Sequence, residues 1–148
     1  MLKLLILTSG GGGTAVLCLP ELVGLSDVQV VGVVRSRGMN PATKARRRRK
    51  KLRKILQIGV LGAVNGIRIR KWFHADHGSL ESVCAEASVP LHDVPYIGST
   101  ETVALVKSFE ADLGLSLGNT FIPQKVYSIP RYGMLNCHCF RNTRTRRV

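Results

Sequence analysis

Leu2-Lys3-Leu4-Leu5-Ile6-Leu7-Thr8-Ser9-Gly10-Gly11-Gly12-Gly13-Thr14-Ala15 decides the fold. A continuous apolar run from Leu2 to Thr8 meets a glycine tract, and from Ala15 to Leu25 apolar residues recur at helical intervals, so the order is strand, glycine turn, helix. Val28–Val34 follows as a strand that is β-branched at nearly every position, the composition of a strand buried on both faces of a parallel sheet. Two strands joined by a helix make a right-handed βαβ unit. Leu4–Leu7 behind Lys3 reads as this buried first strand rather than a signal peptide, because the glycines interrupt it too early.

Working outward, Asn40-Pro41 offers a helix cap followed by proline at the first helical position. A long helical stretch is expected over 41–73, polybasic in its first half and striped with Leu52, Leu56, Val60, Val64 and Ile67 in its second. Alternation then resumes: a helix around Leu80–Ala87, a strand near Leu91–Val94, and a helix from a Ser99/Thr100 cap to about Phe109. Further on come a strand at Leu113–Leu117, a turn over Gly118–Pro123, a helical turn near Gln124–Ser128 and a strand at Gly133–Cys137. Strands alternating with helices throughout predict an α/β protein with a doubly wound, mostly parallel, Rossmann-like sheet.

With 148 residues there is room for one domain. The net charge of +13 and the isoelectric point near 10.4 suggest a polyanionic partner. Sixteen of the 22 basic residues, however, lie in 44–54, in Arg68, Arg70 and Lys71, and in Arg141, Arg144, Arg146 and Arg147; the remaining six face nine acids, leaving a body of −3. A mildly acidic body therefore carries basic appendages, and 44–54 is a candidate for nonspecific RNA contact or for an anionic surface. The uncharged stretch Ile55–Ile67 is 13 residues and contains Gln57 and Asn65, and Leu4–Pro20 is 17 and is interrupted by the glycine tract, so no membrane span is expected where about 20 are needed. Cys18, Cys84, Cys137 and Cys139 form no C-x-x-C pair, which fits reduced thiols in a cytoplasmic protein and no metal site.

Two groups of residues carry chemistry. The glycine loop, Ser9 with Gly10, Gly11, Gly12 and Gly13, can bring backbone N–H groups and a helix N-terminus to a phosphate. It also matches a dinucleotide fingerprint as Gly10-x-Gly12-x-x-Ala15, but the second strand ends in Val34-Arg35-Ser36-Arg37 without the acid that NAD requires; arginines there would suit the extra phosphate of NADP. In the second group, Asn136 and His138 are two apart on a strand and share a face at its carboxyl end, where open α/β sheets take ligands. An amide can donate to a developing oxyanion and an imidazole can carry a proton, a pairing suited to acyl chemistry.

Leu115-Ser116-Leu117-Gly118-Asn119-Thr120-Phe121-Ile122-Pro123, with Val126 and Ile129-Pro130-Arg131-Tyr132-Gly133-Met134-Leu135-Asn136-Cys137-His138, resembles the folate-dependent formyltransferase family, which includes methionyl-tRNA and glycinamide ribonucleotide formyltransferases. The resemblance implies transfer of a formyl group from 10-formyltetrahydrofolate to an amine on an aminoacyl-tRNA, a ribonucleotide or a sugar nucleotide. It implies that Asn136 binds the formyl oxygen and that His138 assists. The turn holding Gly118, Asn119, Phe121, Ile122 and Pro123 would meet the pterin, and Ser9–Gly13 would line the acceptor side. It further implies a domain over 1–138, with 41–73 as an insertion that has no counterpart in the family. After the histidine the family continues with a Ser-Leu-Leu-Pro type loop and, further on, an aspartate; here Cys139-Phe140-Arg141-Asn142-Thr143 follows and the chain ends at Val148. The expectation is a domain incomplete on its C-terminal side, with impaired or no turnover. If Cys139–Thr143 is encoded TGC-TTC-CGG-AAT-ACN behind a codon ending in C, a one-base shift reads Leu-Leu-Pro-Glu-Tyr, and the 139–148 tail is out-of-frame sequence. The competing expectation is a noncatalytic RNA- or anion-binding protein that uses the basic helix.

Overall fold

The computed structural model describes residues 1–9, 13–38, 78–119 and 121–137, together with Gly62, Val64, Asn65 and Arg68. Gly10–Gly12, nearly all of the basic 41–73 stretch, His138 and the 139–148 tail lie outside the described residues.

Leu4 to Thr8 are all buried, as expected of a strand covered on both faces. This strand, β1 (Leu2–Ser9), is followed by α1 (Gly13–Val23), β2 (Val28–Ser36), α2 (Leu80–Glu86), β3 (Leu91–Val94), α3 (Thr100–Ser108), β4 (Leu113–Leu117), α4 (Gln124–Tyr127) and β5 (Met134–Cys137). The five strands form one sheet in the order β3-β2-β1-β4-β5, and each neighbouring pair is parallel. The chain thus builds outward from β1 in one direction and then returns to its other side. That reversal creates a switch point between β1 and β4, the place where open α/β sheets leave a crevice for ligands.

Local chemistry sets the element ends. Ser79 and Ser99 cap α2 and α3, their hydroxyls accepting from the N–H groups of Ser82 and Thr102, each at 3.1 Å. These bonds satisfy backbone donors that the first turn leaves without partners. Gly32 is required by packing, since a Cβ there would lie 2.6 Å from the Phe109 ring. A register shift between Leu4 and Leu5, which pair with Val30 and Gly32, adds one residue to β2.

The core lies on both sides of the sheet. Ile6, Val33 and Leu117 pack beneath α1 and α2 with Ala15, Leu19, Leu80 and Cys84. Leu5, Leu7 and Val34 pack on the other face with Val94, Val106 and Val126. One expectation needs correction: β2 is not buried throughout Val28–Val34. Its buried stretch is Gly32–Ser36, and Gln29 is exposed, because the helical layers cover the later half of the strand. Among the described residues no helix is long and apolar enough to cross a membrane.

Candidate functional site

Register places the strand residues in transverse rows. Val34, Leu7, Ser116 and Asn136 align across β2, β1, β4 and β5, and the next row runs Asp93, Arg35, Thr8, Leu117, Cys137. Neighbouring residues along a strand face opposite ways, so the first row belongs to the α3/α4 face and the second to the α1/α2 face.

At the switch point the ends of β1 and β4 are tied together by side chains. Thr8 Oγ1 donates to the Leu117 carbonyl and Ser9 Oγ to the Gly118 carbonyl, both at 2.9 Å. Gly118 adopts φ +76°, a left-handed conformation that glycine alone enters without strain. A Cβ on Gly118 would stand 4.0 Å from Thr14 Oγ1, so the first turn of α1 borders this turn directly. Gly13 has open space where a Cβ would be. Asn119 folds inward and is only 2% exposed. Its Nδ2 donates to the Leu7 carbonyl at 2.8 Å and to Ser116 Oγ at 3.1 Å. Among the described residues its buried Oδ1 has no hydrogen-bond partner. Such an acceptor is costly to leave unsatisfied.

Phe121, by contrast, is 77% exposed at the rim, and Ile122 and Pro123 are half-buried. Pro123 Cγ would lie 3.3 Å from a Cβ on Gly98, so the loop after β3 closes against the turn after β4. Asn136 is exposed on edge strand β5, level with Ser116. The structure therefore gathers Ser9, Gly13, Gly118, Asn119 and Asn136 around the carboxyl ends of three adjacent strands. Gly10, Gly11, Gly12 and His138 lie outside the described residues.

The carboxyl end of β2 and β3 is built differently. Arg35 is buried, with Nε and Nη2 on the two oxygens of Asp93 at 2.7 and 3.0 Å and Nη1 on Glu81 Oε1 at 2.6 Å. Arg37 joins Asp93 from the solvent side. Hydrogen bonds from Arg35 and then Arg37 hold the Asp93 carboxyl well below the usual carboxylate range, and the Arg35 bond also lowers Glu81. The Asp93 hydrogen bond raises Arg35 further above its ordinary value, against the opposing effect of burial. Burial pushes up the thiol of Cys84 on α2. Arg35 is thus committed to Asp93 and Glu81, and Arg37 shares Asp93, which argues against the suggestion that these arginines await the extra phosphate of NADP.

The sequence reading missed this ion-pair group as well as Ser116 and the inward side chain of Asn119. A charged residue continuing the buried run Val33-Val34-Arg35 was the available signal, since an arginine in such a place requires nearby acids. Among the described residues no group of three or more His, Cys, Asp or Glu could hold a metal ion.

No family model and no curated protein matches the sequence. Among solved structures, the chain is similar to the phosphoribosylglycinamide formyltransferase of Anaplasma phagocytophilum, with a TM-score of 0.51 and 12% identity over 92% of this chain and 48% of that one. The fold is formyltransferase-like. The chain spans about half the length of that enzyme, and at such low identity the likeness is one of architecture: a parallel sheet flanked by helices, matched along nearly all of this chain.

Proposed function

We propose that residues 1–138 belong to a formyltransferase-type domain that binds 10-formyltetrahydrofolate and passes its formyl group to an amine. The observation that carries this reading is that the Gly118 turn borders the first turn of α1 and that Asn136 is level with Ser116 on the neighbouring strand, at the carboxyl side of a formyltransferase-like fold. The residues present fit such a ligand in two respects. Asn119 Oδ1 is a buried acceptor that finds no donor among the described residues, and the pterin edge is rich in N–H groups. Asn136 makes no side-chain hydrogen bond with the described residues, which leaves its carboxamide available to a carbonyl.

In this reading Gly118, Asn119, Phe121, Ile122 and Pro123 line the donor side, and Ser9 with Gly10–Gly13 line the acceptor side. The folate supplies a formyl carbon activated on nitrogen. Asn136 Nδ2 donates to the formyl oxygen, where negative charge gathers as the amine attacks. His138 carries the proton that leaves the amine toward the nitrogen that is released.

Calorimetric titration with a 5,8-dideaza analogue of 10-formyltetrahydrofolate tests the reading. We expect saturable one-to-one binding, weakened about threefold to tenfold in Asn136→Ala, the worth of one neutral hydrogen bond. A folded chain that gives no binding would overturn it.

A further inference from the structure

Ser116 has no part in the reading above, yet it stands between the two carboxamides of the crevice. It is completely buried, and its register partners are Leu7 on one side and Asn136 on the other. Two residues earlier, a Cβ on Gly114 would come within 2.6 Å of Met134 Cε, so paired residues of β4 and β5 do direct their side chains to the same face. Ser116 and Asn136 therefore share that face.

The direction of the hydrogen bonds fixes what Ser116 has left to offer. The Leu7 carbonyl can only accept, so the Asn119 carboxamide must turn Nδ2 toward it, and the second Nδ2 proton goes to Ser116 Oγ. Ser116 is the acceptor in that bond. Its own O–H remains, and among the described residues nothing accepts it. Neighbouring strands are about 4.8 Å apart, so a change of rotamer at Asn136 suffices to bring its carboxamide within reach.

We propose that Ser116 is a positioning residue whose hydroxyl donates to Asn136 Oδ1 when that carboxamide turns in over β4, which leaves Asn136 Nδ2 directed at the ligand. A free carboxamide presents oxygen or nitrogen to a ligand with little preference, whereas one whose oxygen is held by a hydroxyl presents its N–H. An outward N–H is what a carbonyl oxygen gaining charge requires. The identity of that carbonyl rests on the formyl-transfer reading; the Ser116–Asn136 contact does not.

Side-chain amide NMR of the full chain separates the two. The Asn136 Nδ2 pair is assigned by its disappearance in Asn136→Asp, and its chemical shifts are measured in the wild type, Ser116→Ala and Ser116→Cys, with and without the dideaza analogue. Without ligand, Ser116→Ala is expected to shift the Asn136 pair, because its carboxamide loses the hydroxyl that held Oδ1. With the analogue, Ser116→Ala should weaken binding about threefold to tenfold. Ser116→Cys, which retains a weak donor at similar volume, should recover part of both effects and provides a folded comparison if the alanine variant unfolds. An Asn136 pair that is identical in the wild type and in folded Ser116 variants would overturn the proposal. Failure of the analogue to bind the wild type, with the ligand-free shift present, would overturn the folate reading and leave the role of Ser116 standing.

Discussion

At the carboxyl end of β2 and β3, Arg35, Arg37, Glu81 and Asp93 neutralise one another, whereas at the carboxyl end of β4 and β5, Ser116, Asn119 and Asn136 are uncharged and retain hydrogen-bonding capacity that the described residues do not use. Both groups occupy the same edge of one parallel sheet, one row apart in register. The difference shows how a doubly wound sheet assigns its edge. Where the strands lie under α2, a buried charge must find partners within the protein, and the result is a structural lock. Beyond the switch point, the turn that follows β4 leaves Asn119 Oδ1 without a partner among the described residues, and that is where a ligand can contribute binding energy.

Separating the two ends by mutation should give the largest effect. Asp93→Ala leaves Arg35 buried with only the more exposed Glu81, and we expect a loss of about 2 kcal/mol in urea unfolding, less than for a fully buried pair because the Asp93 carboxylate is one-third exposed. Analogue binding by the fraction that remains folded should be unchanged. Glu81→Gln should cost less than about 1 kcal/mol, because that carboxylate is half exposed.

On the open side, Gly118→Ala forces a Cβ into the left-handed region and should cost about 1–2 kcal/mol. Unlike Asp93→Ala, it should also weaken analogue binding, because it displaces the turn. Equal binding by this variant and the wild type would break the comparison.

A third prediction concerns acid. Asp93 and Glu81 have their carboxyl pKa values lowered in the fold, so their contribution is complete above the unfolded values of about 4 and is lost as pH falls below them. Arg35 is raised, so its contribution persists at every pH below its ordinary value, far above neutrality. Stability measured by urea midpoint should fall more steeply between about pH 5 and pH 2 in the wild type than in Asp93→Asn, and the two should run parallel between pH 6 and pH 9. Parallel acid limbs would show that the lock contributes little.

Most of the fold was legible because its signals are local. Leu91–Val94 and Leu113–Leu117 are strands with the expected bounds, set by Pro90 and Pro95 on either side of the first and by Asp112 and Gly118 on either side of the second. Ser99 caps its helix as its position before Thr100 suggests. What escaped depends on residues far apart in sequence. Arg35 meets Asp93 across 58 positions and Asn119 reaches Leu7 across 112, so neither partnership has a local pattern. Burial of Asn119 is equally invisible in the sequence, since asparagine after glycine ordinarily signals an exposed turn. The strand-end residues of the proposed site were therefore nameable from the sequence, while the groups proposed to orient them became apparent only from the register.

The comparison reduces to one measurement, a backbone amide NMR titration of the full chain with the dideaza analogue of 10-formyltetrahydrofolate. Chemical-shift changes should concentrate in 116–123 and 134–137, with Arg35, Glu81 and Asp93 unmoved; changes centred on those three residues, or none at saturating analogue, would overturn the division between the two ends of the sheet.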